Sequence, residues 1–225
     1  MRIRKKTTIQ YFDEDTNQEY VFEPIENTVS VEKSTDNKGE FLLKYLTVDE
    51  HPMSPDEFDD DDTVFLVHYH RDFYIEKDRC PEIILGYIYT GNEDEYDKDG
   101  AEELLKEYHC FAVDAYIHSG VSLSLAGGFN GQLPQGHERF DVSSVGAVLV
   151  KKKEFGAGGV EFEHTREKAE TIAQACIDEW NQYLRGDVYC CVVEKLDEHK
   201  ESYDYDVVGG FYGFDYATEC LQDEF

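Results

Sequence analysis

The sequence predicts an α+β protein: mostly antiparallel sheet, one long amphipathic helix at about residues 165–185, and a few short helices. Three observations carry the prediction. Short alternating or β-branched runs recur between clusters of Gly, Asn and Asp. One stretch alone sustains the period of an α-helix over several turns. Strands and helices also fail to alternate regularly, as a parallel sheet with helical crossovers would demand. At 225 residues the chain can bury roughly 70% of its unfolded surface. Its 40% hydrophobic and 14% aromatic content sets it apart from charged chains that stay disordered.

Taken in order, Thr8–Phe12, Glu19–Phe22, Thr28–Val31 and Phe41–Tyr45 alternate apolar and polar residues and predict an N-terminal β-meander over residues 1–48. Residues 49–62 hold eight acids and no Lys or Arg, and predict an acidic linker. Within it Ser54-Pro55-Asp56-Glu57 supplies an N-cap, a first-turn proline and a capping glutamate for one helical turn. Residues 63–225 are expected to form one acidic core domain. Thr63–Tyr69 and Ile83–Tyr89, rich in β-branched and aromatic residues, are expected as buried strands. Asp99 is expected to cap a short helix ending near His109, followed by two strands broken at Ser119-Gly120, a Gly-rich loop, and a strand at Val145–Lys151. Ala169, Ile172, Ala173, Cys176, Ile177, Trp180, Tyr183 and Leu184 form the long helical stripe, with Thr165 before it and Gly186 after. Its Trp should be buried. Val188–Leu196 and Val207–Tyr212 then predict a hairpin around an acidic loop, Asp197–Asp206.

Charge excludes several functions. Fifty acids against 21 Lys and Arg give a net charge of −29, which repels nucleic acid and anionic membrane and favours basic partners. Residues 1–48 hold 9 acids and 7 bases, and residues 49–225 hold 41 and 14, so the excess is regional. Six cysteines without a C-x-x-C pattern are expected as reduced thiols, two of them, Cys190 and Cys191, on opposite faces of a strand. Neither an export signal nor a membrane-spanning run is evident, which predicts a cytoplasmic protein.

No complete catalytic motif is present. The glycines at 127, 128 and 131, and at 156, 158 and 159, fit neither nucleotide-binding pattern, and no G-x-S-x-G occurs. Arg185-Gly186-Asp187 reads as a helix stop, and Lys151-Lys152-Lys153 as a solvated strand end. Four histidines remain: His68 and His70 share a strand face, and His109 and His118 border the next β segment, with Asp114 nearby. Their convergence would make a metal site of an enzyme, the rival to a non-enzymatic reading without cofactors.

Duplex DNA carries one negative charge for about every 1.7 Å of its axis, and the grooves that hold it are basic. Rows of carboxylates can occupy such grooves, so the acidic segments predict a DNA mimic. The residues expected to bind the partner are Asp56, Glu57, Asp59, Asp60, Asp61, Asp62, Glu93, Asp94, Glu95, Asp97, Asp204 and Asp206.

His70-Arg71-Asp72-Phe73, Tyr108-His109-Cys110-Phe111, Ile117–Leu125 (IHSGVSLSL), Glu179–Tyr189 (EWNQYLRGDVY) and Gly210-Phe211-Tyr212-Gly213 together resemble an acidic protein family of bacteriophages and mobile genetic elements. The likeness spans roughly residues 65–213 and departs at Phe140-Asp141-Val142-Ser143, where a Trp-Asp-Thr-like stretch is usual. It implies a phage or conjugative-element context and carries over no catalytic residue. Context and charge together predict an anti-CRISPR or antirestriction inhibitor whose partner is a basic, nucleic-acid-binding nuclease complex of the host. A phage structural or scaffolding module is a further rival.

Overall fold

A computed structural model describes residues 9–13, 17–22, 27–34, 40–58, 62–68, 80–118, 120–133, 141–156 and 159–223. In chain order come β1 (Ile9–Asp13), β2 (Gln18–Phe22), β3 (Thr28–Lys33), β4 (Phe41–Val48), α1 (Pro55–Phe58) and β5 (Val64–His68). Then follow α2 (Glu82–Thr90), α3 (Lys98–Glu107), β6 (Tyr108–Ile117), β7 (Val121–Leu125), β8 (Val142–Lys151), β9 (Lys153–Phe155) and β10 (Glu161–Glu163). The last elements are α4 (Arg166–Arg185), β11 (Val188–Leu196), β12 (Ser202–Tyr212) and α5 (Phe214–Asp223). All described strand pairs are antiparallel, and the class is α+β as the sequence predicts.

The chain divides into two compact units, one made of Met1–Pro52 with Gly186–Phe225 and the other of Met53–Arg185. This departs from the expected boundaries. The stretch at 63–225 does not close on itself, because β11 pairs along its whole length with β4, from Tyr189 opposite Val48 to Leu196 opposite Phe41. Ladder hydrogen bonds between distant strands are invisible to local periodicity.

In the contiguous unit the sheet order is β5-β8-β6-β7. Its central strand β8 is buried at every position from Val145 to Val150. Alternation along it sends Val148 and Val150 to one face and Ala147 and Leu149 to the other. On the first face α4 packs Ala169, Ala173, Cys176, Ile177 and Trp180 against Leu66, Phe111 and Val113. On the second, Leu85 of α2 meets Phe65, Val67 and Tyr108, with Ile84, Ile88 and Leu104 alongside. Both faces are thus covered by helices. The long helix begins where Thr165 Oγ1 accepts from Lys168 N, and stops at Gly186 with φ +69°, as the Arg185-Gly186-Asp187 sequence predicts.

Ile83–Tyr89 is not a strand. It forms the body of α2, which starts after Pro81 and ends at Gly91 in the left-handed region. A short apolar run does not distinguish a buried strand from a buried helix, and the flanking Pro and Gly were the discriminating marks. The cap of α3 is likewise Asp97, whose carboxylate accepts from Gly100 N at 2.9 Å, rather than Asp99.

In the other unit the sheet order is β12-β11-β4-β3. Leu46, Cys191 and Val193 face Ala217 and Leu221 of α5 on one side. Phe41, Leu43 and Leu196 face Phe22, Tyr11 and Tyr20 of the β1–β2 hairpin on the other. The predicted meander is therefore split: β1 and β2 form their own two-stranded sheet, and β3 and β4 join the C-terminal hairpin. That hairpin is also longer than expected, since β12 begins at Ser202 and places Asp204 and Asp206 on a strand rather than in a loop.

Candidate acidic interface

The first acidic segment is only partly available to a partner. Glu57 Oε2 accepts from Ser54 N (2.8 Å) and Ser54 Oγ (3.0 Å), the glutamate half of the predicted capping box, though its residue is exposed. Asp56, expected on the binding surface, is 7% exposed and is thereby withdrawn from it. Asp62 is exposed, while Asp59, Asp60 and Asp61 lie outside the described residues.

The second segment forms an ordered ridge. Asn92 Oδ1 accepts from Asp94 N and Ile83 O accepts from Asp97 N, which folds the turn back onto α2. The Tyr96 ring lies over Gly86, where a Cβ would run into it. Glu93 pairs with Lys98 at 2.8 Å and Glu103 with Lys106 at 2.9 Å, and each carboxylate holds its lysine above the ordinary value. Asp94, Glu95, Asp99, Glu102, Glu103 and Glu107 are all exposed. On the helix Asp99, Glu103 and Glu107 follow one another about 6 Å apart along the axis. The α3 acids are the part of this surface that site prediction omitted, although the apolar positions Ala101, Leu104 and Leu105 left them no face but the solvent one.

The third segment belongs to the other unit. Asp197 Oδ1 accepts from His199 N (2.8 Å) and Glu201 N (2.9 Å), closing a turn that puts Lys200 at φ +67°. Lys200 donates to Val21 O and sits 5.1 Å above the Phe22 ring. On β12, Asp204 and Asp206 stand on one face and share Lys195, at 2.9 and 3.7 Å. The hydrogen bond from Lys195 holds the Asp204 carboxyl below its usual value.

The histidines do not converge. His68 lies opposite Gly146 and His109 opposite Val150 on the same strand β8, which separates them by about 13 Å. His118 follows the far end of β6, about 30 Å from His109 along the strand. His109 Nε2 donates to His164 O (3.1 Å), and His118 Nδ1 lies 3.7 Å from Asp141 Oδ2. Asp114 accepts from Gly127 N instead of joining them. His70 lies outside the described residues, among which no group of three or more His, Cys, Asp or Glu side chains is placed to hold a metal ion.

Burial pushes the thiols of Cys80 and Cys110 up to about 11 and that of Cys176 higher still, so all three are protonated and weakly nucleophilic at neutral pH. None of the six cysteines is joined in a disulfide. Of the three lysines after Val150, Lys153 is exposed beside Glu161 at 3.4 Å, as a solvated strand end would be, while Lys152 donates to Leu105 O.

Comparison with models of protein families, with curated proteins and with solved structures finds no match for this chain. Among the described residues, no helix is long and apolar enough to cross a membrane.

Proposed function

We propose that this chain is a non-enzymatic counter-defence protein of a phage or mobile element, an acidic DNA mimic that occupies the nucleic-acid groove of a host restriction or CRISPR complex. The observation that supports it is the ridge from Glu93 to Glu107: exposed carboxylates held on a capped helix and a hydrogen-bonded turn. A groove built for phosphates gains by meeting fixed negative charges, because little ordering entropy is lost on binding. The large net negative charge steers a basic partner onto the protein at long range. Both the family resemblance and the composition point to action in the host cytoplasm.

The test is plasmid protection in cells that carry defined restriction or CRISPR systems. Cells expressing the parent chain are expected to keep an invading plasmid, and Asp94→Lys with Glu95→Lys, or Glu102→Lys with Glu103→Lys, should abolish protection while the circular dichroism spectrum stays unchanged. Ridge variants that protect as well as the parent would sink the mimic reading. Protection by no form against any system would shift weight to a structural module of the phage particle.

A further inference from the structure

We propose that the outer edge of β12 is a docking site for an extended, basic segment of another protein, which adds to the sheet as a fifth strand. The proposal does not rest on the counter-defence reading, since any protein could supply the strand.

Sheet edges offer unpaired N–H and C=O groups, and proteins normally cover or interrupt them. In the contiguous unit the β7 edge is covered by α4: Asn181 Oδ1 accepts from Leu123 N at 2.7 Å and Asn181 Nδ2 donates to Leu123 O at 2.9 Å. At the opposite end of the same sheet as β12, Lys33 of β3 pairs with Asp13 of β1. The β12 edge shows no such cover among the described residues. Every residue from Ser202 to Gly209 is exposed, and alternate ones among them turn both backbone groups outward, about three or four in all. Neither Pro nor Lys interrupts the strand. Its regular pairing with β11 runs from Asp204 to Val208, between register shifts at Tyr203 and at Gly209-Gly210, where Gly210 takes φ +88°.

The side chains define what fits. Tyr203, Tyr205 and Val207, at 54, 66 and 50% exposure, form an apolar row on one face of β12. Asp204 and Asp206 stand on the other face with one lysine between them, which leaves that face negative. A strand alternating Lys or Arg with aliphatic residues would set its cations beside the two aspartates and its apolar side chains beside the tyrosines. A second copy of this chain fits poorly. In a symmetric antiparallel pair centred on Tyr205, Asp204 of one copy would lie opposite Asp206 of the other, and residues 186–225 carry 11 acids against 2 bases.

The probe is a capped peptide alternating Lys and Val, about seven residues long as for an ordinary strand. Three comparisons accompany it: a peptide of the same composition with its lysines in one block, the alternating peptide N-methylated on alternate amides in either register, and the Asp204→Lys/Asp206→Lys protein. Fluorescence anisotropy should show binding of the alternating peptide, about tenfold weaker with the charge-reversed protein, and hydrogen exchange should show new protection within Ser202–Val208. One N-methyl register should abolish binding, and because that change is in the peptide it is immune to any misfolding of the variant. Equal binding of the block and both N-methylated peptides would reduce the contact to charge attraction and overturn the proposal. So would absence of binding, or a dimer in sedimentation that Tyr205→Lys dissociates.

Discussion

The two units are built around four-stranded antiparallel sheets, yet they treat those sheets in opposite ways. In the contiguous unit both faces lie under helices, the strand β8 is buried from Val145 to Val150, and the β7 edge is met by the Asn181 amide. In the unit formed from both chain ends, the sheet finishes in a strand exposed at eight consecutive positions. The larger apolar cluster holds thirteen buried residues around Trp180, against five around Leu221. The lesson is that one chain devotes one sheet to stability and leaves the edge of the other open to association.

The sharpest way to break this comparison is to remove Trp180. Trp180→Ala should cost about 3–5 kcal/mol through the cavity it leaves, read as a large drop in thermal midpoint and lost near-ultraviolet dichroism. A change below about 1 kcal/mol would mean that the helix-covered core is not the stable one. Next comes the edge cover: Asn181→Leu should cost about 1–3 kcal/mol, because Leu123 loses both backbone partners, and hydrogen exchange at Leu123 should rise.

A third test uses pH in the other unit. Lys44, buried on the sheet, pairs with Glu32 at 2.9 Å, and that hydrogen bond holds the Glu32 carboxyl below its usual value of 4.5. A depressed carboxyl stabilises the fold above its unfolded value and loses that contribution as pH falls through the lower, folded one. Glu32→Gln should therefore be less stable than the parent at pH 7 by about 1 kcal/mol, Glu32 being half exposed. The gap should narrow as pH falls below 4.5; a gap independent of pH in denaturant titrations would refute the pairing. The smallest expected effect is that of Glu102→Lys with Glu103→Lys on stability, within about 0.5 kcal/mol, which makes these positions clean probes of binding alone.

How much of this was legible in the sequence follows the range of the signals. The long helix and its buried Trp180 announce themselves through period, cap and stop, and β6 and β7 through the break at Ser119-Gly120. The misreading of Ile83–Tyr89 came from composition outweighing the Pro81 and Gly91 punctuation. What stayed hidden is non-local: the pairing of β4 with β11, the burial of Asp56, and the spread of His68, His109 and His118 along a sheet. The acidic surface was legible as charge but not as shape, since sequence does not say that Asp97 caps a helix or that Asp204 stands on a strand.

The route of the chain also sets an order of events at the ribosome. Strand β4 finds its partner β11 only after about 140 further residues have been made, a delay on the order of ten seconds at ordinary synthesis rates. The contiguous unit can complete itself in that interval, while β4 waits with Leu46 uncovered by Cys191, Val193, Ala217 and Leu221. Newly made chains should accordingly depend on chaperones most strongly during those seconds, and a stop codon after Arg185 should yield a finished Met53–Arg185 unit trailing an orphaned half-sheet.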